Sequence, residues 1–120
     1  MSIQRYHTNE RMSQIVVHGD TVYLAGQVAW KNRGKSIAEQ TQEILSAIDG
    51  YLAEVGSDKH HLLSANIWLT DVASQFADFN AAWEAWLPQG QAPVRACVES
   101  PLVAPDFHVE VAVIAVKKRN

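Results

Sequence analysis

The sequence has few of the residues that stabilise a chain covalently or anchor it in a membrane. It contains one cysteine, Cys97, in 120 residues, so no disulfide can form within the chain and nothing indicates a secreted scaffold. The N-terminal segment is polar, unlike a signal peptide, and no apolar run approaches the ~20 residues that a membrane-spanning helix needs. We therefore expect a cytoplasmic protein with no membrane partner.

The sequence also lacks an excess of positive charge. Ten basic residues stand against 13 acidic ones, which gives a net charge of -3. Nucleic-acid binding needs a concentrated basic surface. The one basic cluster, residues 117–119, lies at the C-terminal end and is interpreted as a solvated tail. We therefore expect no nucleic-acid partner.

Motifs of metal and cofactor chemistry are absent as well. No glycine-rich phosphate loop, dinucleotide fingerprint or hydrolase nucleophile elbow is present. The histidines do not have the spacing of metal ligands; they are His7, His18, His60, His61 and His108. The sequence therefore predicts neither a metal site nor an organic cofactor.

What the sequence does have is the pattern of one globular α+β domain over residues 1–120. Apolar residues make up 48% of the chain, which is enough for a core. Gly19-Asp20 separates two strands, 15–18 and 21–25, as a hairpin turn does. Residues 63–69, 92–99 and 108–116 also have strand patterns. With two helices between them, the predicted order is β-β-α-β-α-β-β.

The two helices have recognisable ends. Ser36 and Glu39 form a capping box, and Gly56 ends the first helix. The second helix begins near Asp71 or Ser74. Its aromatic residues recur at helical spacing and are predicted to be buried: Phe76, Phe79, Trp83 and Trp86.

The last strand predicts a second copy of the chain. Residues 109–116 are apolar at nearly every position, except for Glu110. A strand that is apolar on both faces is expected to be covered on both, yet two helices cover only one face of the sheet. We therefore predict a homo-oligomer, with Arg95 and Glu110 on the same sheet face near a subunit interface.

Arg95 is the most informative candidate residue, because arginine is rarely buried without a partner. Its planar fork fits a carboxylate ligand through two parallel hydrogen bonds. An ion pair with a side chain such as Glu110 satisfies the charge equally well. Both interpretations stay open at this point.

Glu110 and Cys97 are the other candidates for chemistry. Desolvation would raise the pKa of Glu110 and a nearby arginine would lower it, and such a carboxylate can position or deprotonate water. Cys97 has no histidine at a motif spacing, so we interpret it as a packing residue rather than a nucleophile.

Five blocks of sequence, in order along nearly the whole chain, resemble one known family. The blocks are VYLAGQ (22–27), QTQEILSAIDGYLAEVGS (40–57), FADFNAAWEAW (76–86), APVRACVESPL (92–102) and VEVAVIA (109–115). By these blocks the chain is similar to the RidA/YjgF (RutC-like) reactive-intermediate deaminases, nearest their YoaB-like branch.

This resemblance implies a fold, an assembly and an activity. The implied fold is a chorismate-mutase-like domain that forms a homotrimer with a central β-barrel and clefts between subunits. The implied activity is cofactor-free hydrolysis of small 2-imino acids or enamines to 2-keto acids and ammonia, a form of metabolite damage control. By the resemblance Arg95 binds the substrate carboxylate, the Cys97 backbone N–H assists it, and Glu110 handles the water. Gly26 and Asn80 match positions that line or support the cleft.

The chain departs from the family pattern at two positions. Met12 stands where a tyrosine is usual, and Ala25 where a serine is usual, so two substrate-contacting hydroxyls are missing. This departure favours an alternative function, a non-catalytic module that senses 2-keto acids or similar carboxylates. An endoribonuclease or translation-inhibitor activity, ascribed to some family members, is disfavoured by the acidic charge balance.

Overall fold

A computed structural model describes residues 1–119 of the chain and contains one mixed sheet with two helices. The strands are β1 (Ile3–Thr8), β2 (Ser13–His18), β3 (Thr21–Leu24), β4 (Leu62–Leu69), β5 (Val94–Glu99) and β6 (Val109–Val116). The helices are α1 (Ile37–Glu54) and α2 (Val72–Trp86), and a short 3-10 turn, Lys59–His61, precedes β4. None of the helices in this part of the chain has the length and apolarity needed to cross a membrane.

The sheet has the order β1-β2-β3-β6-β4-β5. Every neighbouring pair is antiparallel except β4 and β5, which are parallel and are connected through α2. A parallel pair needs such a crossover. The connection places α2 over the edge of the sheet that β5 forms.

The predicted order of elements is confirmed, with one strand added. β1 pairs with β2 along its length, yet five of its six residues are exposed. Backbone hydrogen bonds rather than side-chain burial hold this strand, so its sequence has no apolar alternation to reveal it. The sheet therefore has six strands instead of the predicted five.

The predicted ends of α1 are also confirmed. The Ser36 hydroxyl accepts a hydrogen bond from the Glu39 N–H at 3.1 Å and donates one to the Glu39 carboxylate at 2.9 Å. Gly56 follows the helix with φ of +78°, a conformation that glycine adopts without steric cost. Satisfied N–H groups at one end and a left-handed residue at the other fix the length of the helix.

Both helices pack on the same face of the sheet. On that face lie Val109, Val111, Val113 and Ala115 of β6, all fully or almost fully buried, beneath apolar residues of α1 and α2. Within α2, Phe79 and Trp83 are buried and Trp86 is partly buried. The prediction that Phe76 is buried is wrong, because its side chain is 40% exposed.

The opposite face of the sheet, here called the open face, has no helix over it in the described chain. The alternate residues of β6 point to this face and are only half-buried. Strand register places further apolar side chains beside them. The apolar residues of the open face are Ile3, Val16, Tyr23, Trp68, Val94, Ala96, Val98, Ala112, Ile114 and Val116.

Replacing the N-terminal cap of α1 tests its contribution to stability. We expect Ser36→Ala to lower the free energy of unfolding by about 1 kcal/mol, because it leaves the Glu39 N–H without its side-chain acceptor. Chemical denaturation at fixed protein concentration measures this change. Ser46→Ala is the matched control, since Ser46 is an exposed residue within α1; an equal loss in that variant would contradict the cap assignment.

Candidate carboxylate-binding site

Arg95 lies on the edge strand β5, and its side chain is on the helix face of the sheet. Its Cα is in register with that of Ala65, a buried residue of β4. The Arg95 Nη2 donates a hydrogen bond to the Asn80 Oδ1 at 2.8 Å. The guanidinium carbon is 5.7 Å from the ring centre of Phe76 and 6.0 Å from that of Phe79. Three residues of α2 therefore surround one side of this guanidinium.

No carboxylate within residues 1–119 forms an ion pair with Arg95. Asn80 is a neutral partner and takes up one donor of a group that has five. The residue is also exposed to solvent. The guanidinium thus keeps donors free for an anion, and the alternative of a structural ion pair with Glu110 is wrong within the chain.

Glu110 lies on the open face, opposite to Arg95. Its register partner is Trp68, whereas the buried Val111 is in register with Ile67. Successive side chains of a strand point to opposite faces, and the predicted common face for Arg95 and Glu110 is therefore wrong. The two residues are also separated by one intervening strand and three register positions, or about 10 Å across and 10 Å along the sheet.

Burial raises the pKa of Glu110 above its ordinary value. The carboxylate is on a half-buried strand position, where its charged form loses solvation. The opposing effect expected from a nearby arginine is not found, because Arg95 is on the other face. Glu110 is therefore a stronger proton acceptor, once ionised, than an exposed glutamate.

Gly26 is in contact with Glu110. Gln27 forms an antiparallel bridge with Val111, and this bridge brings the preceding residue over the start of β6. A Cβ atom at Gly26 would overlap the Glu110 Oε2. The absence of a side chain at this position makes room for the carboxylate.

Cys97 is partly buried, with its side chain on the helix face. Burial raises the pKa of its thiol, and the positive charge of Arg95 offsets only part of that rise. A thiol with a raised pKa is a poor nucleophile at neutral pH. The role of its backbone N–H as a donor to ligand stays a prediction.

The predicted site residues thus fall into two groups within one chain. Arg95, Asn80 and Cys97 belong to the α2 side of β5, while Gly26 and Glu110 lie together on the open face. Sequence reasoning missed Phe76 as part of the first group, because its helical spacing indicated a core residue. Its spacing of four residues from Asn80 was the available signal.

Two grooves lie near these elements. One of about 270 Å³ is lined by Arg95, Asn80 and neighbouring residues of α2 and of the segment that precedes β5. A larger one, about 600 Å³, lies at the ends of β4 and β5 and is lined by Thr70, Glu99 and residues 100–105. The larger groove contains none of the predicted site residues, whereas the smaller one is lined by two of them, Arg95 and Asn80.

Of the two departures, Ala25 lies beside the open-face group and Met12 lies before β2. Ala25 directly precedes Gly26, and its N–H donates to the Gln14 carbonyl at 2.9 Å. Met12 is in the turn between β1 and β2 and is 40% exposed. Neither side chain offers a hydrogen-bonding hydroxyl to a ligand.

Comparisons with known proteins agree with this fold and these blocks of sequence. The family model described as endoribonuclease L-PSP matches residues 2–117. The chain belongs to the RutC/YjgF family. A RutC family protein of Haemophilus influenzae is 39% identical over 96% of this chain and 98% of its own. The RutC family protein YoaB of Escherichia coli is 38% identical, with the same coverage.

A solved structure shows the same fold. The crystal structure of a YjgF family member from Neisseria meningitidis has a TM-score of 0.94 and is 40% identical, covering 100% of this chain and 98% of that one. The predicted family, its YoaB-like relatives and the α+β fold are therefore confirmed.

The contact between Gly26 and Glu110 can be tested by a double-mutant cycle. We expect Gly26→Ala to lower the free energy of unfolding by about 1 kcal/mol, because the new methyl group displaces the carboxylate at the end of a flexible side chain. In a Glu110→Ala background the same change should cost much less, since the atom it meets is gone. Denaturation of the four proteins measures the coupling.

Gly50→Ala is the control for this cycle. A Cβ at Gly50, within α1, meets nothing within 4 Å. We expect it to be neutral or to stabilise by up to about 1 kcal/mol through helix propensity. An equal cost for Gly26→Ala in both backgrounds would show that the clash is with something other than Glu110.

Proposed function

We propose that the protein hydrolyses small 2-imino acids and their enamine tautomers to 2-keto acids and ammonia. The observation that carries the proposal is the Arg95 guanidinium, which is exposed, held on one side by Asn80, and without a carboxylate partner in residues 1–119. Such a group binds a carboxylate through two parallel hydrogen bonds. Every 2-imino acid carries a carboxylate next to its reactive carbon.

Glu110 supplies the proton acceptor for the attacking water. The water oxygen bonds to the imine carbon while Glu110 takes one of its protons, the C=N electron pair moves to nitrogen, and Glu110 returns that proton to the nitrogen to give the carbinolamine. In the second step Glu110 accepts the hydroxyl proton as the C=O bond forms and the C–N bond breaks, and it delivers this proton to the departing nitrogen, which leaves as ammonia. General base and acid assistance of this kind contributes about 10²–10⁴-fold. The reaction needs water and no cofactor.

The site requires two copies of the chain. Arg95 and Glu110 are on opposite faces of one sheet, so a single chain cannot hold both on the same small ligand. Arg95 is on the edge strand, from which it can reach the open face of a neighbouring copy. We therefore assign Arg95 and the Cys97 N–H to one subunit of a cleft, and Gly26 and Glu110 to the next.

The open face supports a homo-oligomer, and the family resemblance makes a homotrimer the expected assembly. Each of the six strands of the described sheet contributes at least one apolar side chain to this face, and Tyr23 and Val98 are 44% and 49% exposed. Apolar surface of this extent favours association. Closing three such faces around an axis covers each one and places an edge strand of one copy beside the next.

A binding module for 2-keto acids is the second candidate function. The observation that favours it is the absence of both hydroxyls, at Met12 and Ala25. A module of this kind uses the Arg95 group to bind carboxylates and does not need Glu110 as a base. The endoribonuclease name of the family model has less support, because the chain carries a net charge of -3.

Turnover of 2-iminobutanoate separates the two functions. A threonine dehydratase generates the imine, and semicarbazide traps what remains. We expect the protein to lower the semicarbazone yield. Arg95→Ala should lose about 10–100-fold in catalytic efficiency, because a charge-assisted pair is lost. Glu110→Gln should lose about 10²–10⁴-fold yet still bind 2-ketobutanoate.

The pH dependence gives a further check on Glu110. Only the ionised carboxylate accepts a proton, so activity should rise with pH through the pKa of Glu110, which burial places above that of an exposed glutamate. Glu110→Gln should lack this acidic limb. Arg119→Ala, at an arginine that is 90% exposed, is the control and should behave as the wild type. If the protein does not accelerate the loss of 2-iminobutanoate over buffer, the proposed hydrolysis is wrong. Binding of 2-ketobutanoate by the same protein would then favour the binding module.

Light scattering tests the assembly. We expect a mass in solution of three times the 13.3 kDa chain. Ile114→Glu places a carboxylate in the middle of the open face and should yield single chains, because an unpaired buried charge costs several kcal/mol. Ala53→Glu, on the exposed side of α1, should remain trimeric. A wild-type protein with the mass of one chain would contradict the proposed cleft between subunits.

A further inference from the structure

The contacts of Phe76 are not explained by core packing. It is one of the aromatic residues of α2, but its side chain is 40% exposed, whereas Phe79 and Trp83 lie in the core. Its ring centre is 5.7 Å from the Arg95 guanidinium carbon, within the range of a cation–π interaction. Burial of apolar surface thus accounts for Phe79, and the neighbouring cation accounts for the orientation of Phe76.

The guanidinium contacts three residues of α2, which are Phe76, Phe79 and Asn80. They have the i, i+3 and i+4 spacing that puts helix side chains on one face. Asn80 contacts the Nη2 atom, and the two rings lie at similar distances from the guanidinium carbon. Polar and aromatic contacts therefore act on the same group from the same helix.

A second contact fixes α2 relative to β5. The Glu99 carboxylate, at the end of β5, accepts a hydrogen bond from the Val72 N–H in the first turn of α2 at 2.9 Å. It occupies a free N–H where a helix favours negative charge. Strand β5 and helix α2 are thus joined at two points, by Glu99 with Val72 and by Arg95 with Asn80.

We propose that Phe76 is a positioning residue that orients the Arg95 guanidinium for a carboxylate ligand. An exposed arginine has about 2 kcal/mol of rotamer entropy, and ordering it in advance improves ligand affinity. The Phe76 ring limits the orientations of the guanidinium that Asn80 and Phe79 alone would allow, and leaves its other donors free for the ligand. This inference rests on the proposed carboxylate site, and it concerns how that site is built.

The test compares Phe76→Leu and Phe76→Tyr with the wild type. Leucine keeps apolar bulk and removes the aromatic ring, while tyrosine keeps the ring. ¹⁵N relaxation at the Arg95 Nε measures its order without ligand, and calorimetry measures the Kd of 2-ketobutanoate. We expect Phe76→Leu to lower the Nε order parameter and raise the Kd about 3–10-fold, in the range of a cation–π contact. Phe76→Tyr should restore both.

Kinetics and a matched control complete the design. Phe76→Leu should raise the KM for the imine while kcat stays within about twofold, since Phe76 affects binding of the carboxylate and does not contact the reacting atoms. Trp30→Leu is the control, because Trp30 is also an exposed ring beside an arginine, Arg33, at 5.8 Å. It should leave Arg95 order and ligand affinity unchanged. Circular dichroism and mass confirm that each variant is folded and assembled.

Each outcome decides the inference. Unchanged order or unchanged affinity in Phe76→Leu overturns it, as does an equal loss in Trp30→Leu. A wild type that binds no 2-ketobutanoate overturns the carboxylate site and this inference with it, whereas a wild type that binds while Phe76→Leu binds equally well overturns the positioning role alone.

Discussion

The whole arrangement depends on one constraint: two helices cover one face of a sheet whose side chains alternate between its faces. Every second residue of β6 is buried beneath α1 and α2, and its neighbours are left half-covered on the open face. A shift of one residue in strand register would exchange the two sets. Core formation therefore fixes which candidate residues point toward the helices and which point away from them.

That constraint separates the two charges on which the proposed chemistry rests. If Arg95 and Glu110 lay side by side in one chain, each would satisfy the other, and the arginine would lower the pKa of the glutamate. Apart, the guanidinium keeps free donors and burial raises the pKa of the carboxylate. In the proposed function Arg95 then serves as the anion binder and Glu110 as the base, and a second copy of the chain brings them together.

Helix α2 has a corresponding double role. As the crossover between parallel strands β4 and β5, it contributes Phe79 and Trp83 to the core. At the sheet edge the same helix presents Phe76 and Asn80 to Arg95. The first role sets the position of the helix through buried apolar area, and the second uses that position to hold a polar group at the surface. The orientation of the candidate anchor is thus linked to the stability of the fold.

The sequence by itself determined the local features, because helix ends, a hairpin turn and apolar alternation depend on neighbouring residues. Ser36, Gly19 and Gly56 marked their elements, and the blocks around Arg95 and Glu110 identified the family. β1 left no such signal, since backbone hydrogen bonds rather than burial hold it. The tertiary structure alone decided that Arg95 and Glu110 lie on opposite faces, and that Phe76 lies beside Arg95. Those relations depend on the register between strands distant in sequence and on the placement of α2, and a hydrophobic pattern encodes neither.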